Sequence, residues 1–434
     1  MAAPLILPIR DFAQDEKLIN WAGNIEYSTD HIVYPETVEE VQQLVKAHSK
    51  LKVLGTKHCF NRIADSKDYF ISSRKLNKII SLDKDAGTVT VEGGIKYGEL
   101  CPWLNDQGFA LHNLASLPHI SVAGAITTAT HGSGVKNGNL ATAVSGLEIV
   151  LADGSIVHLS NKDGDAFNAA VVGLGALGVV TKVTLNVQPA FMMRQYVYER
   201  LPLQQLQQHF DEIVGAGYSV SLFTDWASDS INEVWVKSRV DDATNKSAKY
   251  DFFGAKPATH NLHPIAELSA ENCTEQMGVP GAWYERMPHF KMGFTPSSGK
   301  ELQTEYFVPH QHATEAIMAI QQLGKSISPH LFISEIRTIA ADDLWMSPAY
   351  QQDSVALHFT WKQEWDAVSK LLPQIEQALA PFNPRPHWGK LFTIASTTLD
   401  ARYSKLADFK QLVAKYDPKG KFRNAFLEEK LFAS

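Results

Sequence analysis

The first part of the chain alternates between helical and strand-like hydrophobic patterns. Thr37 and Glu40 have the spacing of a capping box, and the apolar positions from Val38 to Val45 recur on one face of a helix. Short runs rich in β-branched residues predict strands at 52–54, 69–71, 79–82, 88–91, 146–151 and 179–187, with a hairpin turn at 85–87 and a helix over 98–108. Pro189 ends the last strand, and we expect a domain boundary there.

Beyond this boundary, helices are interspersed with alternating strands. Helical patterns occur near 203–214, 312–323 and 365–379, and another near 404–415 follows in the tail. The pattern is typical of a second α+β region over about 190–395. The length of 434 residues agrees with two regions, because single hydrophobic cores stop growing at roughly 250–300 residues.

The composition is that of an ordinary globular protein, with 44% hydrophobic and 20% charged residues. The net charge of −7 includes no basic block, so we expect no nucleic acid or membrane partner and favour a small neutral or cationic ligand. Cys59, Cys101 and Cys273 match neither a disulfide framework nor a metal site, so the sequence predicts no metal and a cytoplasmic location. Residues 1–12 lack the basic region of a signal peptide, and no apolar run is long enough to span a bilayer.

Gly173, Gly175 and Gly178 satisfy the G-x-G-x-x-G pattern of dinucleotide-binding folds. In a Rossmann fold these glycines would end a strand and open a helix. Here they lead into 179–187, where alternation and β-branching predict a strand. We therefore expect a tight turn and reject a Rossmann site.

Two loops rich in small residues lie on either side of the predicted hairpin, at 55–61 and 116–134. Their glycines expose backbone N–H groups, and Ser121, Thr128 and Thr130 add hydroxyl donors, a combination that suits phosphate. Ordinary turns have the same composition, so both interpretations stay open on composition alone.

Two later strands carry polar residues that simple exposure to solvent explains poorly. In 330–339, alternation puts Glu335 and Arg337 into an otherwise apolar row. In 355–361, His358 and Thr360 project together from one face. A salt bridge and a hydrogen-bonded histidine within a sheet explain this pattern as well as a binding site does.

At these positions the sequence resembles the vanillyl-alcohol-oxidase-type FAD flavoproteins, most closely the alditol (xylitol) oxidases, which are related to the aldonolactone oxidoreductases. The resemblance covers nearly the whole chain. Its marks are Leu54–Asn61, Ser116–Gly124, Thr130–Gly134, Ser334–Arg337, His358–Thr360 and Pro386–Lys390. It implies an α+β fold with an FAD-binding domain at 1–190, completed by 396–434. A substrate-binding cap domain at 191–395 would contain a mixed or antiparallel sheet flanked by helices.

The resemblance also implies FAD that is bound covalently, through His58, to the flavin 8α carbon. The two small-residue loops would hold its pyrophosphate, and the segments 417–420 and 422–424 resemble the C-terminal return to the FAD-binding domain. The cofactor-binding residues implied are Gly55, Thr56, Lys57, His58, Cys59, Asn61, Ser116, Ser121, Gly124, Thr128, Thr130, His131 and Val179.

The substrate-facing residues implied are Ser116, Glu335, Arg337, His358, Thr360 and Lys390. The implied reaction oxidises the terminal primary alcohol of xylitol, sorbitol or a similar polyol to the aldose, with hydride transfer to flavin N5 and reduction of O2 to H2O2. Arg337 and Lys390 suit stabilisation of negative charge on the hydroxyl oxygen. Glu335 and Lys390 are both candidates for the base, and we expect a monomer.

Two alternatives remain. The first is an aldonolactone oxidase or dehydrogenase that uses another electron acceptor. In the related lactone enzymes the residue before the position matched by Ser116 is thought to control oxygen access, with alanine more restrictive than glycine, and this residue is Ala115. The second is a non-catalytic polyol- or flavin-binding protein, against which the six substrate-facing positions argue.

Overall fold

The computed structural model describes residues 17–242, 251–293 and 300–433 of the chain. The segment 1–12, whose composition predicts no signal peptide, lies outside these ranges. Within them, no helix combines the length and the apolar character that crossing a bilayer requires.

The described residues form short helices and three main sheets. The helices are α1 Val38–Ala47, α2 Tyr97–Asp106, α3 Val122–Thr127, α4 Asp165–Val171, α5 Leu203–Gln208, α6 Phe210–Val214, α7 Trp283–Arg286, α8 Ala313–Gln321, α9 Gly324–Ile327, α10 Trp365–Leu379, α11 Ser396–Arg402, α12 Leu406–Tyr416 and α13 Ala425–Leu427. The earlier strands are β1 Ile32–Val33, β2 Lys52–Leu54, β3 Phe70–Ser72, β4 Ile79–Asp83, β5 Thr88–Glu92, β6 Phe109–Ala110, β7 Val144–Val150, β8 Ile156–Ser160, β9 Val179–Asn186 and β10 Gln188–Pro189. The later strands are β11 Met192–Pro202, β12 Ser219–Thr224, β13 Ser230–Arg239, β14 Lys256–Pro257, β15 Gly281–Ala282, β16 Glu301–Pro309, β17 Leu331–Ile339, β18 Ser354–Lys362 and β19 Arg385–Pro386.

Helix α1 begins where its sequence predicts. Thr37 Oγ1 accepts a hydrogen bond from the Glu40 N–H at 3.1 Å. The Glu40 carboxylate accepts from the N–H of Glu36 at 2.7 Å, so the reciprocal bond of the capping box is shifted by one residue. Val41 and Val45 are fully buried on the inner face, as the helical spacing predicts.

Two of the main sheets are built from strands of the first 190 residues. Strands β1, β3 and β2 pair in parallel in that order. Strands β4, β5, β9, β7 and β8 form an antiparallel sheet, and Gly87 in its β4–β5 hairpin has a φ of +63°. Strand β9 begins at Val179, directly after the glycines of 173–178, so the predicted strand is confirmed and a Rossmann helix is absent there.

The third main sheet has nine antiparallel strands in the order β14-β11-β13-β12-β17-β18-β16-β19, with β15 paired to β11. Helices α8 and α10 contact each other, and α8 also contacts β16. The helix predicted over 203–214 is divided into α5 and α6 at His209, whose φ of −131° and ψ of 29° are not helical. All strands of this sheet follow Pro189.

The C-terminal segment returns to the N-terminal part of the chain. The side-chain amide of Asn424 donates to the carbonyl oxygens of Arg62, Ile63 and Asp65 at 2.9, 3.1 and 2.8 Å. Its amide oxygen accepts from the N–H of Leu427 at 3.0 Å and caps α13. These bonds attach the tail to the region that contains the small-residue loop at 55–61.

Candidate active site

A large cleft separates the N-terminal loops from one face of the nine-stranded sheet. Its empty space, including the part that is open to solvent, is about 1730 Å³. The loops at 55–60 and 115–131 contribute to one side, and β16, β17 and β18 contribute to the other. The cleft therefore lies between the predicted cofactor loops and the strands that carry the predicted substrate-facing residues.

Two non-glycine residues in these loops, and one in the glycine turn at 173–178, have left-handed backbone conformations. The φ angles are +64° at Lys57, +53° at Ala129 and +53° at Leu174. Such conformations cost about 1–3 kcal/mol each and collect at ligand-binding sites. Lys57 immediately precedes His58, and Ala129 lies between two threonines that line the cleft. The strained positions therefore coincide with the predicted cofactor side.

Ser121 lies where the two small-residue loops meet. A Cβ atom on Gly55 or on Gly124 would lie 2.9 Å from the Ser121 hydroxyl oxygen, so both positions favour glycine. The N–H of Ser121 donates to Thr56 Oγ1 at 3.4 Å. The Ser121 hydroxyl is buried and has no hydrogen-bond partner among the described residues.

His58 faces the same cleft. Its ring stacks on Trp21 with the centroids 5.2 Å apart. Burial lowers the pKa of His58 to about 4, so the imidazole is neutral near pH 7. Both ring nitrogens are buried, and neither has a hydrogen-bond partner of good geometry within the described ranges. Buried polar atoms in this state require a ligand or water.

The unpartnered hydroxyl and imidazole, together with the glycine contacts, fit an extended anionic cofactor such as FAD. The predicted cofactor residues that line the cleft are Gly55, Thr56, Lys57, His58, Cys59, Ser116, Gly124, Thr128, Thr130 and His131. Asn61 lies behind the wall, where its amide donates to the carbonyl oxygens of Trp388 and Lys390 at 2.8 and 2.6 Å. Ser121 joins the loops behind the lining residues, and Val179 is fully buried in a hydrophobic cluster.

The opposite side of the cleft is formed by one face of neighbouring strands. Glu335 and Arg337 lie on β17, His358 and Thr360 on β18, and Glu305 on β16. The antiparallel register aligns Glu335 with His358, and His358 with Glu305. The polar residues that alternation groups in the sequence therefore line one cleft, and all six predicted substrate-facing residues belong to it.

Glu305 contacts three basic side chains. Its carboxylate is 2.7 Å from Lys390 Nζ and 3.1 Å from both Arg337 Nη2 and His131 Nε2. Burial by itself would raise the pKa of Glu305, but Lys390 and His131 hold this pKa well below its usual range. Glu305 is therefore an anion that orients Lys390 and Arg337 at the cleft.

A chain of hydrogen bonds runs from Lys390 through His358 to Thr360. Lys390 Nζ lies 3.1 Å from His358 Nδ1, which accepts when the lysine donates. Burial lowers the pKa of His358 to about 3, so the ring is neutral and its proton is on Nε2. Nε2 then donates to Thr360 Oγ1 at 3.1 Å. Because the Thr360 oxygen accepts in this bond, its hydroxyl hydrogen remains available for another acceptor.

Glu335 has a hydrogen bond with one basic neighbour and an ion pair with another. His289 Nε2 lies 2.8 Å and Arg337 Nε 3.4 Å from the same oxygen, Oε1, so Oε2 is not used by either contact. Burial by itself would raise the pKa of Glu335, but Arg337 and His289 hold this pKa well below its usual range. Arg337 also donates through Nη1 to Ser116 Oγ at 3.4 Å, so one guanidinium joins both sides of the cleft.

Several cleft residues were not predicted from the sequence. Glu301, Gln303 and Glu305 alternate along β16, and all three line the cleft. This is the same alternation that identified Glu335, so it could have identified Glu305 as well. His289 and His387 also line the cleft but lie in loops, where no periodic pattern identifies them.

Comparisons with known families and proteins identify the relatives of the chain. Residues 29–160 match the FAD binding domain family, and residues 294–430 match the family described as D-arabinono-1,4-lactone oxidase. The chain is similar to an alditol oxidase of Streptomyces sp., with 46% identity over 95% of this chain and 98% of that protein. It is also similar to an L-gulono-1,4-lactone dehydrogenase of Mycobacterium tuberculosis, with 28% identity over 94% of this chain and 97% of that protein.

The fold matches the crystal structure of cholesterol oxidase from B. sterolicum, with a TM-score of 0.79, 15% identity and coverage of 99% of both chains. The predicted α+β fold of the vanillyl-alcohol-oxidase type is thereby confirmed. Fold and site together define an FAD-dependent oxidoreductase. The chain belongs to the alditol oxidase family.

Proposed function

We propose that this protein oxidises the terminal primary alcohol of an alditol such as xylitol or sorbitol to the aldose, with O2 as electron acceptor and H2O2 as the second product. The main support is a single cleft that contains His58 on one side and six side chains suited to hydroxyl groups and developing charge. The 46% identity to an alditol oxidase over nearly the whole chain supports the same substrate class.

We also propose that residues 1–190 and 396–434 form the FAD-binding domain and that 191–395 form the cap. The parallel sheet and the five-stranded sheet use strands of the first range, and the nine-stranded sheet uses strands of the cap range. The Asn424 hydrogen bonds to the segment around Arg62 support the assignment of the tail to the FAD-binding domain.

Bound FAD would supply the acceptor for the hydride that leaves the carbinol carbon and would pass both electrons to oxygen. We assign its covalent attachment to His58, since a neutral imidazole with unpartnered nitrogens is a suitable nucleophile. Thr56, with the backbone at Gly55, would donate hydrogen bonds to its phosphates, and Thr128 and Thr130, whose hydroxyls bond the Gly124 carbonyl oxygen and each other, line the same side of the cleft.

Lys390 is the better of the two candidates for the base. Burial lowers its pKa even though Glu305 opposes the shift, whereas the pKa of Glu335 is held below its usual range. Proton abstraction requires Lys390 in its neutral form, in which the amine has two N–H groups and a lone pair. With the N–H groups directed to Glu305 and His358, the lone pair at Nζ is left to take the proton of the substrate hydroxyl.

Arg337 would stabilise the negative charge that develops on the hydroxyl oxygen, because a guanidinium keeps its charge at any pH the protein tolerates. Thr360 would donate to a second substrate hydroxyl, and Glu335 Oε2 would accept from a third. A site whose buried groups each pair with a hydroxyl rejects analogues that lack one, since its polar groups are then left without partners.

Anaerobic mixing of the holoenzyme with xylitol tests this proposal. We expect the flavin absorbance to bleach, and admission of air to restore it with stoichiometric release of peroxide. A panel of alditols of different length would then rank the substrates. A flavin that stays oxidised with every alditol contradicts the proposed substrate class.

An aldonolactone substrate is the second candidate, favoured by the match of residues 294–430 to the D-arabinono-1,4-lactone oxidase family. Ala115 lines the cleft beside Ser116, at the position that would restrict oxygen. Bleaching by aldonolactones but not by alditols, followed by recovery with an artificial acceptor but not with air, would favour this candidate.

A further inference from the structure

Lys237 is a buried lysine that the reaction proposed above does not use. It lies on β13 and is 1% exposed. Its Nζ donates to the carbonyl oxygens of Met287 and Pro288 at 2.7 and 2.8 Å and lies 3.0 Å from His289 Nδ1. An ammonium has three N–H donors, and these three contacts use all of them.

His289 is held between Lys237 and Glu335. Its Nε2 lies 2.8 Å from Glu335 Oε1, and its ring packs edge-on against Trp235 and Phe223. A carboxylate can only accept, so Nε2 must carry a proton. The proton shared between the lysine and Nδ1 then decides whether His289 is neutral or an imidazolium.

Two observations put that shared proton on the lysine. The Met287 and Pro288 carbonyl oxygens accept from Nζ and stabilise its charged form. Burial and the neighbouring Lys237 lower the pKa of His289 to about 4, whereas burial lowers the pKa of Lys237 to about 7, so the lysine is the stronger base of the two. The ring is then neutral, with its proton on Nε2 and with Nδ1 free to accept from Lys237.

We propose that Lys237 is a positioning residue that acts through His289: it fixes the tautomer that donates to Glu335 and so holds that carboxylate as an acceptor for a substrate hydroxyl. The proposal rests on the proposed function in one respect, that Glu335 binds substrate. Removal of the Lys237 ammonium would take away the donor to His289 Nδ1 and to the Met287 carbonyl oxygen, whereas the Pro288 carbonyl oxygen would keep its hydrogen bond from Thr274 Oγ1 at 2.8 Å. With no donor facing Nδ1, only Glu335 would orient the ring, so the position and tautomer that present the Nε2 proton to the carboxylate would be held less firmly.

The tautomer can be measured directly in the intact holoenzyme by nitrogen-15 NMR of protein labelled at histidine. The His289 signals are assigned by their disappearance in His289→Gln. At pH 7 we expect a protonated Nε2 and a bare Nδ1. An imidazolium, or a proton on Nδ1, overturns the proposal. This measurement needs no substrate, so it remains decisive if the protein oxidises no alditol or if Lys237→Met fails to fold.

Steady-state and rapid-reaction kinetics separate positioning from a structural role. Lys237→Met should raise the KM for xylitol about tenfold, the loss of one hydrogen bond to a charged group. The rate of flavin reduction at saturating xylitol should fall by less than about threefold. An unchanged KM, or a loss confined to that rate, overturns the proposal.

Two matched variants complete the test. His289→Gln keeps one acceptor for Lys237 and one donor for Glu335, so its KM should stay within about threefold of wild type, whereas His289→Leu should behave like Lys237→Met. Lys430 is another buried lysine, which donates to the Ile394 carbonyl oxygen at 3.2 Å. Lys430→Met should leave the KM unchanged. Equal KM values for the glutamine and leucine variants contradict the relay through His289.

Discussion

Glu305 has the most consequential side chain that the sequence did not identify. It is 1% exposed and contacts Lys390, Arg337 and His131, which compensates for the cost of a buried charge. Because each contact fixes a group at the cleft, the arrangement of the site depends on Glu305. The side chains that Glu305 and the loops hold in place can be tested one at a time.

His58 should determine whether the flavin remains with denatured protein. Acid precipitation of the wild type should give a yellow pellet, because a covalent bond survives unfolding. Precipitation of His58→Ala should release the flavin into the supernatant, measured by its absorbance. A colourless wild-type pellet would contradict the covalent bond but not the binding of FAD.

Lys390→Met should slow reduction of the flavin by xylitol by about 10²- to 10⁴-fold, the contribution of a general base. Lys390→Arg keeps a positive charge but cannot lose its proton, so it should remain slow. Stopped-flow absorbance measures both. Lys362→Met, which removes a lysine at the end of β18 that donates to the Pro329 carbonyl oxygen, should reduce at the wild-type rate. Fast reduction in Lys390→Arg would limit Lys390 to a charge-stabilising role.

At the scale of elements, strand alternation explains why polar side chains converge. Strands β16, β17 and β18 are neighbours, and each presents every second residue to the cleft. Helix α1 illustrates the other local rule, because its cap, its spacing and its buried face agree with the sequence. Because α1 follows its local sequence, the contribution of a single residue of this helix to the free energy of unfolding can be measured.

Thr37→Ala should lower the free energy of unfolding by about 1 kcal/mol, because it removes the hydrogen bond that caps α1. Urea unfolding followed by circular dichroism measures the change. Thr37→Ser keeps the hydroxyl and should recover most of the stability. A serine variant as unstable as the alanine variant would show that the cap is not the cause.

At the scale of the whole molecule, the cleft exists because two halves of the chain meet. The cofactor side comes from loops of the first 190 residues, and the other side is a face of the nine-stranded sheet. Many ionisable side chains are buried at and near this junction. Their pKa values therefore make the stability of the whole protein depend on pH.

The free energy of unfolding should fall as the pH is lowered from about 6.5 toward about 4. Burial lowers the pKa of His289 to about 4 and of His358 to about 3. In this range the unfolded chain binds protons that the folded protein does not. A histidine such as His289 therefore lowers the free energy of unfolding by an amount on the order of 3 kcal/mol.

Two buried carboxyls act in the opposite direction. Burial raises the pKa of Glu233 to about 7 and of Asp342 to about 6, so these groups favour folding as the pH falls. Burial also lowers the pKa of further histidines, namely His58, His112, His131, His263 and His387. We therefore expect the effect of the histidines to exceed that of the two carboxyls, so that the urea midpoint of unfolding falls from pH 6.5 through 5.5 to 4.5. Midpoints that rise on acidification would contradict this balance.

The sequence by itself determined many of the elements and the family of the chain. Hydrophobic spacing identified α1, α10 and the strand β9, and the strand pattern was enough to reject a Rossmann site at 173–178. The motifs around His58 and Glu335 predicted the family, which the similarity to an alditol oxidase confirms. These features are local, so a single segment of chain contains the information needed to recognise them.

Only the tertiary structure decided which side chains meet and in which direction their hydrogen bonds run. Period-two alternation shows that residues share a face, but it does not show which strands are neighbours, so the approach of Glu305 to Lys390 depends on sheet order. His289 lies in a loop with no periodic pattern, and its contact with Lys237 joins residues 52 positions apart. Donor and acceptor roles follow from such distant partners, because an imidazole takes its tautomer from whatever faces its two nitrogens.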